Sequence, residues 1–212
     1  MIERAPHECP IPGPAATFAA VLSGLLPEIE TARLRLRAPR LSDFDAWTEI
    51  LCGPAAPHLG GPFSRDDAFT EFLASCGTWL LRGHGPWTVE PRAGGDVLGF
   101  VLIGFEPGDA EPELGYLFCP AAEGRGFATE AVQAARDHAF NALGMTRVVS
   151  YIAPGNSASL RLARRVGAAP EGDLDGSQVW VHRPVARGAV STRMETQGRR
   201  KEDAVKTSKR GD

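Results

Sequence analysis

A glycine-bearing turn between a strand and a helix is the feature that most constrains how this chain of 212 residues can fold. The turn, Glu123 to Gly126, follows a strand-like run and opens a run of helical periodicity that ends near Leu143. A further strand-like run, 147–152, comes next, and a strand, a crossover helix and a second strand pair in parallel with right-handed topology. Because the chain before the turn resembles antiparallel strands, the order of elements predicts a layered α+β domain.

Periodicity and turn residues predict the other elements. They are a strand at 31–37, helices at 42–51 and 64–81, strands at 87–89, 97–105 and 113–119, a helix at 156–166 and a last strand at 179–184. In the second helix, spacings of three and four predict five inward side chains, namely Phe69, Phe72, Leu73, Trp79 and Leu80. A chain of this length is expected to build one domain with a proper core.

Charge and cysteine content argue against several classes of protein. A formal net charge of −3 disfavours a protein that binds nucleic acid or an anionic membrane. The residues from about Gly188 onward form a basic tail, but nucleic-acid binding through it has little support. The four cysteines are far apart and lack the CxxC spacing of metal sites. We therefore expect reduced thiols, a cytoplasmic location and no metal.

The two ends of the chain differ from its middle. Residues 15–26 are apolar but too short to span a bilayer, and no basic region precedes them as in a signal peptide. From about Gly188 the chain is polar and charge-mixed without periodicity, which is typical of disorder. The expected division is an N-terminal extension with a short helix at 1–28, a domain at 29–186 and a disordered polar tail at 187–212.

The helix start after Gly126 has the chemistry of an anion site. The first N–H groups of a helix lack intrahelical acceptors, and the helix dipole adds partial positive charge there. Gly124 and Gly126 allow several N–H groups to converge on one anion, and Arg125 adds a side-chain charge. The expected ligand is a phosphate or pyrophosphate. The alternative is that the glycines only shape the turn; the further residues of a dinucleotide-binding fingerprint or a Walker loop are absent.

Position in the chain favours a particular family. The segment Glu123-x-x-Gly126-x-Ala128 resembles the acetyl-CoA pyrophosphate loop of the GNAT acetyltransferase superfamily, (Gln/Arg)-x-x-Gly-x-(Gly/Ala), and the Ala-Thr-Glu-Ala run after it is similar to the RimJ/RimL branch. Other matches to that branch follow in chain order: Thr31 to Arg37, Leu41 to Asp45, Leu98-Gly99, Glu113 to Tyr116, Asn156 to Ser159 and Gly167-Ala168.

The resemblance implies a fold and an activity. The fold is a mixed, mostly antiparallel central sheet with a splayed parallel strand pair and helices on both faces. The activity is direct transfer of an acetyl group from acetyl-CoA, as co-substrate, to a primary amine of a protein N-terminus, a peptide or a small molecule. Dimers are common in the family, which leaves a homodimer open. The alternative from a different class is a non-catalytic acyl-CoA-binding regulatory module on the same fold.

The resemblance also implies the residues that contact acetyl-CoA. They are Phe118 and Cys119 at the pantetheine arm, Gly124, Arg125, Gly126, Phe127, Ala128 and Thr129 around the pyrophosphate, and Asn156 as a helix cap or pantetheine ligand. The chain departs from the family pattern at Glu123, where a carboxylate stands beside the expected pyrophosphate.

Two residues are candidates for proton transfer. Related enzymes often place an acidic base at the position of Glu113, although a solvated carboxylate at a strand end is the alternative. The tyrosine that many members use as an acid is replaced here by Ala163. Ser159 matches the serine of some RimL-like enzymes, or else serves only the helix backbone. His58 and His84 fall in loops expected to line the acceptor side.

Overall fold

One sheet of eight strands organises the residues that this computed structural model describes, 4–54 and 56–184. The strands are β1 Ile29–Glu30, β2 Leu34–Arg37, β3 Pro86–Pro91, β4 Gly99–Gly104, β5 Glu113–Phe118, β6 Val148–Ile152, β7 Ala169–Leu174 and β8 Ser177–His182. Their order across the sheet is β1-β2-β3-β4-β5-β6-β8-β7. All neighbours are antiparallel except β5 and β6, which are joined by a crossover helix and pair in parallel.

Helices cover both faces of this sheet. They are α1 Pro14–Gly24, α2 Phe44–Leu51, α3 Arg65–Arg82, α4 Phe127–Asn141 and α5 Ser157–Arg165. Val101 of β4 packs with the buried face of α4, whereas the next residue back, Phe100, packs with α2 and α3. Successive side chains of a strand point to opposite faces, so α4 and the α2–α3 pair lie on opposite sides. The predicted α+β fold, with helices on both faces and one parallel strand pair, is confirmed.

The parallel pair opens almost as soon as it forms. Between β5 and β6 the only register pair is Glu113 with Val149, whereas β4 and β5 are in register over all six residues of β5. The main-chain bond from Val149 N–H to the Pro112 oxygen, 2.9 Å, stands at the closed end. Beyond Leu114, β5 therefore presents an edge with which no strand of residues 4–54 or 56–184 pairs.

Between α5 and the last predicted strand, the structure contains a strand that was not predicted. β7 and β8 form a hairpin whose turn is Asp175-Gly176, with both residues at positive φ (48° and 84°). An Asp-Gly pair of this kind is a strong hairpin signal. β7 was overlooked because its side chains are mostly exposed and show no apolar alternation. The strand predicted at 31–37 is shorter in the structure, since only Leu34–Arg37 forms a strand, β2, and the short β1 that precedes it was not predicted.

The prediction of inward side chains on α3 is wrong at two positions. The helix begins as expected, with Ser64 Oγ accepting from Asp67 N–H at 3.1 Å, and it buries Phe72 and Trp79. Leu73 and Leu80, however, are 47% and 84% exposed. The buried residues of this helix are Ala68, Phe72 and Trp79, so its buried face is narrower than the predicted one.

The N-terminal segment contacts the domain through charged groups rather than through α1. None of the residues of α1 is buried. The carboxylate of Glu8 is buried and accepts two bonds from Arg65 on α3, and Arg4 pairs with Asp45 on α2. The tail predicted at 187–212 lies outside the described residues. Within the described ranges, the helices are too short or too polar to cross a membrane.

Candidate active site

The turn that enters α4 offers main-chain N–H groups to an anion. Gly124 and Gly126 have φ values of 70° and 76°, a conformation that side chains with Cβ atoms disfavour. No side chain caps α4, and the first bonded amide of the helix is that of Glu130, which donates to the Gly126 oxygen at 3.2 Å. The amides before it are left for an external acceptor, which is the arrangement of a phosphate site.

Two arginines flank this turn. The guanidinium carbons of Arg33 and Arg125 lie 4.8 and 4.6 Å from the ring centroid of Phe127, the first residue of α4. Arg33 also donates to the Arg125 carbonyl oxygen at 3.0 Å and to Glu130 at 2.7 Å. Arg33 was not predicted as a site residue, since its place in a strand-like run gives no signal. Its contacts add positive charge beside the free amides.

The side chain of Glu123, the acidic residue of the turn, is not buried against the free main-chain amides. Glu123 is exposed and forms no ion pair with residues 4–54 or 56–184. Arg125, which is also exposed, packs on Phe127 instead. On the first turn of α4, Thr129 lies 3.4 Å from a guanidinium nitrogen of Arg165. The charged side chains in contact with the start of α4 are thus mainly arginines. The exception is Glu130, which forms an ion pair with Arg33.

A cavity of about 560 Å³ occupies the gap between β5 and β6 and extends toward α2 and α3. Its lining includes the β5 residues from Glu113 to Leu117 and the β6 residues from Ser150 to Ile152. The start of α5, the loop 58–60 and the turn of the β7–β8 hairpin complete its walls. Of the sequence-predicted residues, the cavity brings together Glu113, Asn156 and Ser159, while the amide turn lies beyond the far end of β5.

Glu113 lies where the two strands part. Its carboxyl is largely buried and has one weak contact, an N–H of Tyr151 at 3.4 Å from Oε1. Burial, together with the charges of Asp109 and Glu106, raises the pKa of this carboxyl to about 8 against the opposing effect of the Tyr151 N–H. A carboxyl with such a pKa exchanges a proton near neutral pH, as a general base requires.

The start of α5 places Ser159 beside the cavity, next to Tyr116 of β5. The Asn156 side chain accepts from Ser159 N–H at 3.1 Å and so caps the helix. The phenol of Tyr116, on β5, donates to the Ser159 carbonyl oxygen at 3.2 Å, and burial raises its pKa. Ser159 thus remains beside the cavity with its amide satisfied by Asn156. Ala163, where the family tyrosine would stand, is fully buried against Ile152 and Trp180.

The two residues expected at the pantetheine arm point to different faces. Phe118 packs with the α4 side of the sheet, whereas Cys119 is 4% exposed among side chains of α2 and α3. Burial raises the pKa of the Cys119 thiol to about 11. Neither side chain lines the cavity, so any contact of Cys119 with a ligand falls to its main chain.

The two histidines expected on the acceptor side have different positions. His58 is exposed and lines the cavity. His84 does not, because its Nδ1 bonds the Ile103 carbonyl oxygen at 2.7 Å, and the expectation for it was wrong. Over the part of the chain that the structure describes, no three His, Cys, Asp or Glu side chains are grouped as a metal site would require.

Comparison with known proteins gives a consistent result. The family model for the acetyltransferase (GNAT) domain matches residues 33–169. The uncharacterized N-acetyltransferase YoaA of Bacillus subtilis is 32% identical over 158 residues, which cover 71% of this chain and 87% of YoaA. The uncharacterized protein YkkB of the same organism is 35% identical over 92 residues, and that match spans only 52% of YkkB and 41% of this chain.

Solved structures share the fold. An acetyltransferase from Agrobacterium tumefaciens superposes with a TM-score of 0.71 at 31% identity, covering 75% of this chain and 95% of its own. RimJ of Mycobacterium smegmatis, solved in complex with CoA-disulfide, has a TM-score of 0.58 at 22% identity, covering 76% of this chain and 88% of its own. At that identity the likeness to RimJ is one of fold alone.

Proposed function

Since the chain belongs to the GNAT acetyltransferase family and is thereby an acyltransferase, we propose that it moves an acetyl group from acetyl-CoA directly to a primary amine. The observation that carries the proposal is the cavity in the gap between β5 and β6, with the largely buried carboxyl of Glu113 at its closed end. A thioester and an amine held together there react as if in one molecule, which removes much of the entropic barrier.

The donor side is built from main chain and arginines. The free amides from Gly124 to Thr129 bind the pyrophosphate, with Arg33 and Arg125 adding charge, and Arg165 adds a third guanidinium beside Thr129. The pantetheine arm runs along the open edge of β5, whose six residues span about 17 Å at roughly 3.4 Å per residue. Its thioester end then reaches the level of Glu113 and Gly115.

The acceptor side supplies the proton transfers. Glu113 takes a proton from the ammonium form of the acceptor, which frees the nitrogen lone pair to attack the thioester carbon. Main-chain N–H groups of β5 donate to the developing oxyanion. The C–S bond then breaks, and the leaving thiolate takes a proton from the hydroxyl of Ser159, which lies beside the cavity. The second proton that the attacking nitrogen loses as the amide forms restores the Ser159 hydroxyl. Tyr116, bonded to the carbonyl of Ser159, holds β5 against α5.

The matches at Glu113 to Tyr116 and at Asn156 to Ser159 support placing the chain in the RimJ/RimL branch. The acceptor is then an amine at a protein N-terminus or on a peptide or small molecule. The replacement of the family tyrosine by Ala163 favours one other function, acyl-CoA binding without turnover. Turnover separates the two.

The test measures binding and turnover on the full chain. Acetyl-CoA should raise the melting temperature, and a thiol-release assay over a panel of primary amines should detect CoA production that Glu113→Gln abolishes without weakening acetyl-CoA binding. Binding without turnover on any amine would establish the regulatory alternative, and no stabilisation at millimolar acetyl-CoA would refute both. Asp66→Asn, an exposed carboxylate outside the cavity, is the control variant.

A further inference from the structure

The cavity beside Glu113 is lined by an excess of acidic groups. Five carboxylates contribute to its walls: Glu71, Glu106, Asp109, Glu113 and Asp175. Among the described residues that line it there is no lysine or arginine, and His58 is the one imidazole among them. The five come from α3, from the loop after β4, from β5 and from the β7–β8 turn, so they surround the cavity rather than share one exposed helix face.

Acidic groups elsewhere in the described chain are commonly paired. Glu8 is bonded by Arg65, Asp43 by Arg37, and Glu111 by Arg147. In contrast, none of the five lining carboxylates forms an ion pair with a residue of 4–54 or 56–184. A cavity that leaves its charges uncompensated by the protein is electrostatically complementary to a cationic guest.

Glu106 lies near two other carboxylates of the cavity lining. Partial burial raises the pKa of this otherwise exposed side chain, and the nearby charges of Asp109 and Glu71 also raise it. Asp109 and Glu106 in turn disfavour ionisation of Glu113. The carboxylates of the loop after β4 therefore interact both with the proton acceptor at the strand gap and with Glu71 on α3. A positive charge among them relieves this repulsion.

We propose that the acceptor is an amine carrying a second positive charge, so that its reacting nitrogen lies at Glu113 while a distal cation binds among Glu71, Glu106 and Asp109. This inference rests on the proposed function and specifies its substrate class. An acceptor with a distal carboxylate meets like charge on several sides of the cavity, and an acceptor with an apolar end gains no charge contact there.

Three acceptors of equal length isolate the distal group. In 1,4-diaminobutane, pentylamine and 5-aminopentanoate, the same primary amine is followed by an ammonium, a methyl or a carboxylate. With a screened charge contact contributing about tenfold, kcat/KM should be about tenfold higher for the diamine than for pentylamine, and lowest for 5-aminopentanoate. The preference should shrink as salt is added.

Variants connect the preference to the cavity. Glu106→Gln and Glu71→Gln should each lower the ratio of kcat/KM for the diamine to that for pentylamine. Asp66→Asn, on the same helix as Glu71 but outside the cavity, should leave the ratio unchanged. Melting temperatures of all three variants identify any loss that comes from unfolding instead.

Calorimetry of the three amines, with and without CoA, separates failure of this inference from failure of the proposed function. If acetyl-CoA does not bind, the proposed function fails, and amine binding to the full chain still reports the charge preference of the cavity. If acetyl-CoA binds and pentylamine or 5-aminopentanoate is bound or acetylated as well as the diamine, the dicationic acceptor is refuted while acetyl transfer stands. If acetyl-CoA binds and the diamine is both bound more strongly and acetylated faster than the other two amines, the inference is supported.

Discussion

The hydroxyl of Ser150 donates a 2.7 Å hydrogen bond to the carbonyl oxygen of Leu114 at the point where β5 and β6 separate. A main-chain bond between the two strands, from Val149 N–H to the Pro112 oxygen, lies just before it. A side chain therefore satisfies the carbonyl that the ladder no longer reaches. Since the Ser150 proton is directed at Leu114, its oxygen accepts from Nε2 of the buried His182, 3.0 Å away.

Removing this hydroxyl should destabilise the domain. Ser150→Ala leaves the buried Leu114 carbonyl and the His182 N–H without partners, which costs about 1–3 kcal/mol of the free energy of unfolding. Urea unfolding at pH 7.5 measures it. Ser157→Ala, on the exposed start of α5, is the matched control and should change the free energy of unfolding by less than about 0.5 kcal/mol. Equal effects of the two variants would contradict this role.

His182 should make the domain labile in acid. Burial and the charge of Arg136 together lower the pKa of this imidazole from 6.5 to about 4, so the folded state binds fewer protons than the unfolded state in that interval. Stability then falls as the pH drops from about 6.5 to about 4, by about 3 kcal/mol at most at 1.36 kcal/mol per pKa unit.

The measurement for His182 is the free energy of unfolding as a function of pH. His182→Gln retains a donor toward Ser150 but cannot titrate, so its stability should change less between pH 6.5 and 4 than that of the wild type. His58→Gln, at an exposed position, should follow the wild-type curve. A His182→Gln curve as steep as the wild type's would mean that other groups cause the acid lability.

Local sequence patterns predicted the elements that carry their own signals. Gly124 and Gly126 marked the start of α4, and Ser64 marked the start of α3, because turns and caps depend on neighbouring residues alone. β7 was not predicted because its side chains are mostly exposed, although Asp175-Gly176 is a signal for the hairpin turn that follows it. Leu80 looked inward by spacing alone, yet tertiary packing decides which apolar positions are covered.

The candidate site was only partly predictable for a similar reason. Residues of the α4 turn and Glu113 could be named from the family resemblance, since each belongs to a contiguous motif. Arg33 reaches the same turn from more than 90 positions away in the chain, through its bonds to the Arg125 carbonyl and to Glu130. The acidic groups around the cavity come from four elements, and no local pattern places Glu71 beside Glu106.

Glu113 should couple activity to pH and limit stability in alkali. Because its pKa is raised to about 8, kcat/KM should rise with pH through that value as the carboxyl ionises. Glu113→Gln should lower kcat by about 10²–10⁴-fold, the usual contribution of a general base. Steady-state rates between pH 6 and 10 measure it, with Asp66→Asn as the control that keeps both rate and profile.

The same substitution should act on stability in the opposite direction. The folded state favours the protonated carboxyl of Glu113. What this carboxyl contributes to the free energy of unfolding is therefore fully present below the ordinary pKa of 4.5, and it is lost as the pH rises through about 8. Glu113→Gln cannot ionise and should melt at a higher temperature than the wild type at pH 9. A variant less stable than the wild type at pH 9 would argue that the carboxylate is solvated at a strand end.

Gly126 should be required for acetyl-CoA binding beyond its effect on stability. Its φ of 76° strains any residue with a Cβ, yet an added Cβ meets within the protein only a guanidinium nitrogen of Arg33 at 3.5 Å. The branched side chain of Gly126→Val would therefore extend into the space in front of the free amides. Acetyl-CoA affinity should fall by at least about tenfold, the loss of one charge-assisted hydrogen bond.

Gly144, at the other end of α4, provides the matched control. Its φ of 69° is almost the same, and an added Cβ meets nothing within 4 Å, so Gly144→Val imposes comparable backbone strain away from the turn. Both variants should lose similar stability in urea, while calorimetry with acetyl-CoA should show weakened binding only for Gly126→Val. If the two variants bind acetyl-CoA equally well, then the glycine merely shapes the entry to the helix, and the phosphates bind elsewhere.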